Sequence, residues 1–354
     1  MTRREMLLLS SAGSLLGQVP ASVEPENRSY SLGSIEGTLT PPEMFFVRDH
    51  FPAPELFLST WRLKIEGRVA DPIELTLADI IESPTKELEA LLECAGNPSS
   101  GSAATNALWE GVPLASLLAQ AGAARDAVAV MLEGADSGRL DEHSPTLPYC
   151  QIVPMEKCLR PESLVAFKLN GRFLPRRNGF PARALFPGWY GMDSVKWLQR
   201  IVVLGPSDAA PNFQLSGMNK LYNRMVKTPA GEVKVTRLTE IQIRSVIAWP
   251  PENQRLPVGR HVVRGFAWTG AGLVRSVNFS ADGGHQWALA QTESPPRRFT
   301  WVRWKFLWSA TPGDHVLMSR AVDDAGCKQP LTRDPLRKDS YELNFCAPVR
   351  CSVR

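Results

Sequence analysis

Hydrophobic and polar positions divide the chain into two stretches of different rhythm. From about Pro42 to Gly205, short alternating runs are interrupted by segments of helical spacing. "WRLKIEGRV" places Leu63 and Ile65, with Val69 beyond, on one face, which predicts a half-buried strand. An Asp71-Pro72 turn follows, and Thr76 with Asp79 three residues on is a capping-box pattern that starts a short helix. "GVPLASLLAQAG" predicts a helix beginning near Pro113 and stopping at Gly122. "AVAVMLEG" and "SLVAFKLNG" read as strands. With no regular β-α-β alternation, this half is of α+β type.

After about Glu232 only strands and turns remain. "EIQIRSVIAW", "GRHVVRGFAW", "LVRSVNFSADGGHQWALAQ", "FTWVRWKFLW" and "HVLMSRAVDDAG" follow one another with turn residues between them. In the fourth, Val302, Trp304, Phe306 and Trp308 share one face and Arg303 and Lys305 the other. Asp282-Gly283-Gly284 is a hairpin signal. About seven short strands in roughly 120 residues suggest an immunoglobulin-like β-sandwich. The expected organisation is a mixed α/β domain over 40–206, a linker over 207–231 and the sandwich over 232–354.

The first residues have another pattern. "TRREMLLLSSAGSLLG" sets Arg3 and Arg4 before a weakly apolar run too short to span a bilayer. This layout predicts a twin-arginine-like signal peptide over 1–24 and a periplasmic protein exported already folded, often around a cofactor. No later stretch approaches about 18 consecutive apolar residues, so no stable membrane span is expected. A net charge of +4 over 354 residues is too mild for a nucleic-acid footprint. The 29 prolines and 26 glycines favour many turns over long helices.

Motifs exclude more than they assign. There is no Gly-rich nucleotide loop, no G-x-S-x-G elbow, and five histidines are few for a His-rich metal site. The six cysteines form neither paired C-x-x-C motifs nor a haem attachment site. Cys150 with Cys158, and Cys346 with Cys351, either close small disulfide loops or remain thiols. Cys94 ends the apolar run of "LLECAGNPSSG", before a small-residue loop whose N–H groups can approach a ligand. Asn178, Arg183, Ser194 and Lys196 surround a Gly-rich turn and suit a phosphate. "FFVRDHFPAP" adds Arg48 and His50. The basic residues Arg297, Arg298, Arg333, Arg337 and Lys338 read as a solvated face or as a docking patch for an acidic redox partner.

Taken together, "FFVRDHFPAP", "ECAGN" and "NGFPARALFPGWYGMDSVKWL" resemble the sulfite oxidase family of molybdenum enzymes, with Asp49 where the family usually has Asn. "EGAD", "LVAFKLNGRFLP", "GFAWTGAGLVRSVNFSADGGHQW" and "VDDAGCKQP" are also similar to family segments. The C-terminal ones are nearest those of the sulfite dehydrogenase subunit of bacterial sulfur oxidation. The resemblance implies a sulfite-oxidase-type molybdopterin domain followed by a dimerisation domain. It implies Cys94 as the thiolate ligand of molybdenum carried by a molybdopterin, Arg48 as the oxyanion-binding residue, and Tyr222 as the active-site tyrosine. His50, Asp136, Asn178, Arg183, Ser194, Val195 and Lys196 are the implied cofactor-binding residues. The implied reaction is oxygen-atom transfer, with electrons passed to an external carrier such as cytochrome c. A homodimer, or a heterodimer with a cytochrome subunit, is the implied assembly.

One departure bears on the substrate. Sulfite-oxidising members usually carry an arginine five residues after the cysteine, where this chain has Ser99. A lost charge-assisted contact costs on the order of 1.5–3 kcal/mol of binding. Alternatives to sulfite are therefore reduction of a sulfoxide-type neutral substrate, or a sandwich protein that binds without catalysis.

Overall fold

The computed structural model describes residues 25–209, 217–337 and 339–354; the expected signal segment and Lys338 lie outside them. The first half is built on two five-stranded sheets. One runs Ile73–Leu75, Leu63–Gly67, Leu198–Leu204, Ala129–Gly138, Leu147–Pro154 in spatial order. Leu63 and Ile65 are fully buried as the alternation predicts. Their partner strand buries Leu198, Ile201 and Val203, an odd spacing that a register shift between Leu198 and Arg200 absorbs.

The other sheet runs Arg172–Phe173, Leu164–Leu169, Ala104–Pro113, Lys86–Glu93, with Arg183–Leu185 also paired to Leu164–Leu169. Strand Lys86–Glu93 starts exposed, and its last four residues, Ala90 to Glu93, are all buried. Ala90 and Leu92 pack with Trp109 and Phe45 on one face, while Leu91 joins a different cluster on the other. With both faces covered, the run loses its polar alternation. Helices are few and short among the described residues: Leu77–Glu82, Leu114–Gln120 and Met155–Cys158. The Thr76–Asp79 capping box is present in both directions. The expected α+β mixture is thus weighted heavily towards sheet.

The second half is two sheets sharing one core. The first runs Arg244–Trp249, Gly259–Trp268, Val302–Ala310, Gln291–Thr292. The second runs Gln254–Leu256, Val349–Val353, Gly313–Asp323, Val274–Ser280, Ala288–Leu289. Val263, Ala267 and Trp304 from the first meet Val277, Leu317 and Ala321 from the second in the core. The stretch expected to be a linker contains one strand of a hairpin, Asn223–Lys227 paired with Val233–Arg237.

An apolar seam joins the halves. Leu32, Leu91, Tyr190, Val246, Phe266 and Trp301 belong to one cluster drawn from both. The Trp301 indole N–H donates to the Thr38 carbonyl at 2.7 Å, and the Leu91 N–H to that of Phe299 at 2.7 Å.

Candidate active site

Strand Lys86–Glu93 ends against this seam and delivers the next residue, Cys94, to the wall of a cavity of about 430 Å³. The loop after it is held by one buried carboxylate. Glu93 accepts from the Asn97 amide at 2.8 Å, the Arg244 guanidinium at 2.9 Å and the Trp268 indole at 2.8 Å. Arg244 also donates to the Pro98 carbonyl, and Asn97 accepts the Ala103 N–H at 2.8 Å. Arg244 and Trp268 come from the second half, so the cysteine loop is clamped from across the seam.

The same cavity is lined by all ten residues singled out from the sequence: Cys94, Arg48, Tyr222, His50, Asp136, Asn178, Arg183, Ser194, Val195 and Lys196. They arrive from separate elements. Arg48 ends the short strand Val47–Arg48, Asp136 lies in Ala129–Gly138, and Asn178 closes the turn Arg176–Asn178. Gly179, at φ +106°, lets that turn bend tightly against Arg183 and Lys196.

Charge divides the cavity into two ends. At one, Lys196 is ion-paired with Asp49 and also donates to the Arg177 carbonyl at 3.3 Å. Burial raises the Asp49 carboxyl and lowers the Lys196 ammonium, and each is opposed by its partner's charge. The acid at position 49 thus serves as counter-ion to the lysine. Arg183 is buried, and its fork donates to the carbonyls of Asn178 at 3.1 Å and Ser194 at 2.7 Å. It frames the two loops rather than offering a free fork. Burial lowers its pKa to about 10, which leaves it charged. His50 is packed on Phe51 and Tyr149, and burial lowers its imidazole pKa below the usual value. Asp136 is pushed up to about 7, chiefly by burial.

At the other end, Arg48 is exposed and has no carboxylate partner among the described residues. Its charge lowers the pKa of Cys94, whose thiol is raised mainly by burial. Tyr222 and Tyr341 also sense the Cys94 charge, and their rings lie 5.9 Å apart. The Tyr222 hydroxyl bonds to that of Tyr149, which in turn donates to the Met192 carbonyl at 3.0 Å. Burial raises both phenols, so they remain protonated donors.

The sequence reading did not single out Tyr149, Arg177, Ser340 or Tyr341, which also line the cavity. Arg177 adjoins a flagged asparagine, and proximity was the available signal. Tyr341 carries no motif; it reaches the site because the Glu342 N–H donates to the Ala95 carbonyl at 2.9 Å. Of the expected basic face, Arg297, Arg298 and Arg333 are exposed and only Arg337, among the described residues, is buried. Arg337 is buried against Glu342, Arg297 pairs with Glu89, and Arg333 bonds the Asp339 carbonyl. All six cysteines are free thiols.

The wall retains polar atoms that no protein group satisfies. Asp136 Oδ1, Asn178 Oδ1 and Thr105 Oγ1 are buried without a hydrogen-bond partner, a situation that costs about 1–3 kcal/mol each. Asn178 Oδ1 is an acceptor, and Asp136 is one when ionised, and both fit the ring N–H donors of a pterin. Among the described residues no three His, Cys, Asp or Glu side chains gather to hold a metal. A metal held at the Cys94 sulfur would take its other ligands from a cofactor, and the residues present fit a molybdopterin.

Fold and site together define a molybdenum-cofactor oxidoreductase. Residues 50–211 match the oxidoreductase molybdopterin binding domain, and 235–337 the Mo-co oxidoreductase dimerisation domain. The chain is 30% identical to sulfite oxidase of Gallus gallus over 346 residues, 90% of this chain and 73% of that one. It is 30% identical to mitochondrial sulfite oxidase of Homo sapiens, covering 85% of this chain and 59% of the human one. The crystal structure of the sulfane dehydrogenase SoxCD from Paracoccus pantotrophus superposes with a TM-score of 0.80 at 29% identity, covering 95% of this chain and 86% of that chain. The chain belongs to the sulfite oxidase family.

Proposed function

We propose that the protein oxidises sulfite or a related sulfur oxyanion by oxygen-atom transfer and passes two electrons to an external cytochrome c. The observation that carries this reading is the meeting of Cys94, Arg48 and Tyr222 at one end of a cavity whose other end is built for a pterin. When bound, the molybdopterin supplies the oxygen-transfer and two-electron chemistry, with Cys94 as the protein's ligand.

The remaining work belongs to the chain. Arg48, exposed and unpaired, draws an oxyanion to the Cys94 side and orients it. Tyr222, whose one hydroxyl proton bonds to Tyr149 in this structure, is protonated and turns that proton to an oxygen of the substrate when one is bound. Asp136 and Asn178 would accept from the pterin ring, while Lys196, Arg177 and the Ser194 hydroxyl would hold its phosphate. Ser194 Oγ already accepts the Phe186 N–H at 3.1 Å, so its hydroxyl proton is left to donate. Tyr341 and Met192 add to the wall of the same cavity.

The Arg3-Arg4 pattern supports export to the periplasm by the twin-arginine route. Pairing of two copies through the second domain, whose immunoglobulin-like character rests on the strand pattern, is part of this proposal, as is a partner cytochrome. Molybdenum analysis of purified protein, followed by sulfite-dependent reduction of cytochrome c, tests the reading. Metal near one per chain with turnover is expected, and metal-loaded protein without turnover on any sulfur oxyanion overturns it. Ser99 favours a second reading, reduction of neutral sulfoxides, for which reduced viologen oxidation is the assay.

A further inference from the structure

Behind the Tyr222–Tyr149 pair, a chain of hydrogen bonds runs away from the cavity, and its direction is set by groups that act in one sense only. Tyr149 and Gln151 stand two residues apart on strand Leu147–Pro154, and both side chains are buried. The Gln151 amide nitrogen donates to the Tyr149 hydroxyl at 3.2 Å, and its oxygen accepts from Arg237 at 3.1 Å. A guanidinium has no acceptor, so the amide oxygen must face Arg237 and the NH2 must face Tyr149. Arg237 is itself fixed by the buried Asp193 carboxylate and by the Ile152 carbonyl at 2.9 Å. It pairs with Asn223, the residue after Tyr222, and the Leu238 N–H beyond it donates to the Tyr222 carbonyl at 3.0 Å. Backbone and hydroxyl of Tyr222 are thus referred to one buried ion pair.

The Met192 carbonyl can only accept, so it takes the one proton of Tyr149. Gln151 fills one lone pair of that hydroxyl, and the other takes the Tyr222 proton. When Tyr222 turns its proton to an oxyanion, Tyr149 can answer in one way, by swinging its own proton from Met192 to the Tyr222 oxygen. The direction of Gln151 is closed, because an N–H stands there. Only O–H rotations are involved, and no covalent bond is made or broken. Burial raises the Tyr149 hydroxyl, and the Gln151 bond pulls against that rise, which makes Tyr149 the better donor.

Resting on the sulfur-oxyanion reading above, we infer that Gln151 is a positioning residue: held in one sense by Arg237 and Asp193, it keeps the Tyr149 proton available to Tyr222, so that Tyr222 can give its own to the substrate. Gln151→Glu keeps the shape and the acceptor for Arg237, but at pH 8 it offers Tyr149 a carboxylate oxygen that draws its proton away from Tyr222.

In molybdenum-loaded protein, Gln151→Glu is expected to weaken sulfate binding, read by calorimetry, and to lower kcat/KM for sulfite, each about tenfold, the scale of one hydrogen bond. In the Tyr222→Phe background the same substitution is expected to change either quantity by no more than about twofold, because the group it acts through is gone. A merely structural role, or a simple effect of added charge, would persist there, and a tenfold loss in that background overturns the inference. So does a folded Gln151→Glu protein with wild-type binding and turnover. Where Gln151→Glu fails to fold, Gln151→Met decides: it removes the donor without adding charge, a loss of about threefold is expected, and no loss overturns the inference. Failure of the underlying reading is distinct: the wild type then neither binds sulfate nor turns over sulfite, Arg48→Gln changes nothing, and the inference falls with it.

Discussion

At the scale of single residues, Asp136 links the cofactor site to stability. Its carboxyl titrates near 3.8 when free and at about 7 in the fold, because burial penalises the charge. Below about pH 3 it is protonated in both states and exerts no penalty. As pH rises towards 7, the unfolded chain ionises first and the folded state loses ground. At about 1.4 kcal/mol per pH unit, the loss is on the order of 4 kcal/mol once both states are ionised. Asp136→Asn is therefore expected to flatten this part of the pH dependence in cofactor-free protein. Urea unfolding of both proteins at pH 4.5 and 7.5 checks it, and parallel slopes would contradict it. Cys94→Ser, which replaces a soft thiolate by a hard hydroxyl, is expected to abolish sulfite-dependent cytochrome c reduction. Retained turnover in metal-loaded protein would refute the ligand assignment.

At the scale of elements, the clamp on the cysteine loop is the feature with the clearest energetic signature. Glu93 and Arg244 are each 2% exposed, so removal of one leaves the other charged in an apolar seam. Arg244→Met is expected to cost about 3–5 kcal/mol in urea unfolding, and pairing it with Glu93→Gln should recover part of that. In cofactor-free Arg244→Met, faster maleimide labelling of Cys94 is the matching local readout. The strand that ends at Glu93 was legible because "ALLE" is apolar and followed by a turn. The clamp was not, since Arg244 and Trp268 lie far along the chain and carry no motif. For the same reason Tyr341 escaped notice while Asn178 to Lys196 stood out: a local run encodes its own turn, whereas a strap is defined by what it lands on. Arg337 shows the converse error, since clustering with other basic residues in sequence suggested solvent and the fold buried it against Glu342.

For the whole molecule, the seam argues against two independently stable halves. Trp301 is 2% exposed, lies in the shared cluster, and its indole bonds Thr38 in the N-terminal stretch. Trp301→Ala is expected to cost about 3–5 kcal/mol. Tryptophan fluorescence and far-UV dichroism should still report one coincident unfolding transition. Two resolved transitions in the wild type would contradict the shared core. A change of rhythm near Glu232 was legible in the sequence, but the seam was not, because its residues satisfy the strand pattern on whichever side of it they occur.

The segment Ser340 to Glu342, tied to the cysteine loop at Ala95, also has a consequence in time. At about 5–20 residues per second, Cys94 leaves the ribosome some tens of seconds before Tyr341 does. During that interval the cysteine loop also lacks Arg244 and Trp268, which hold Glu93 from the second half, so its final geometry waits for the rest of the chain. A cofactor therefore meets a finished metal side only after residues 340–342 have been made. Delivery of the cofactor is thus a matter of scheduling during biosynthesis as much as of affinity.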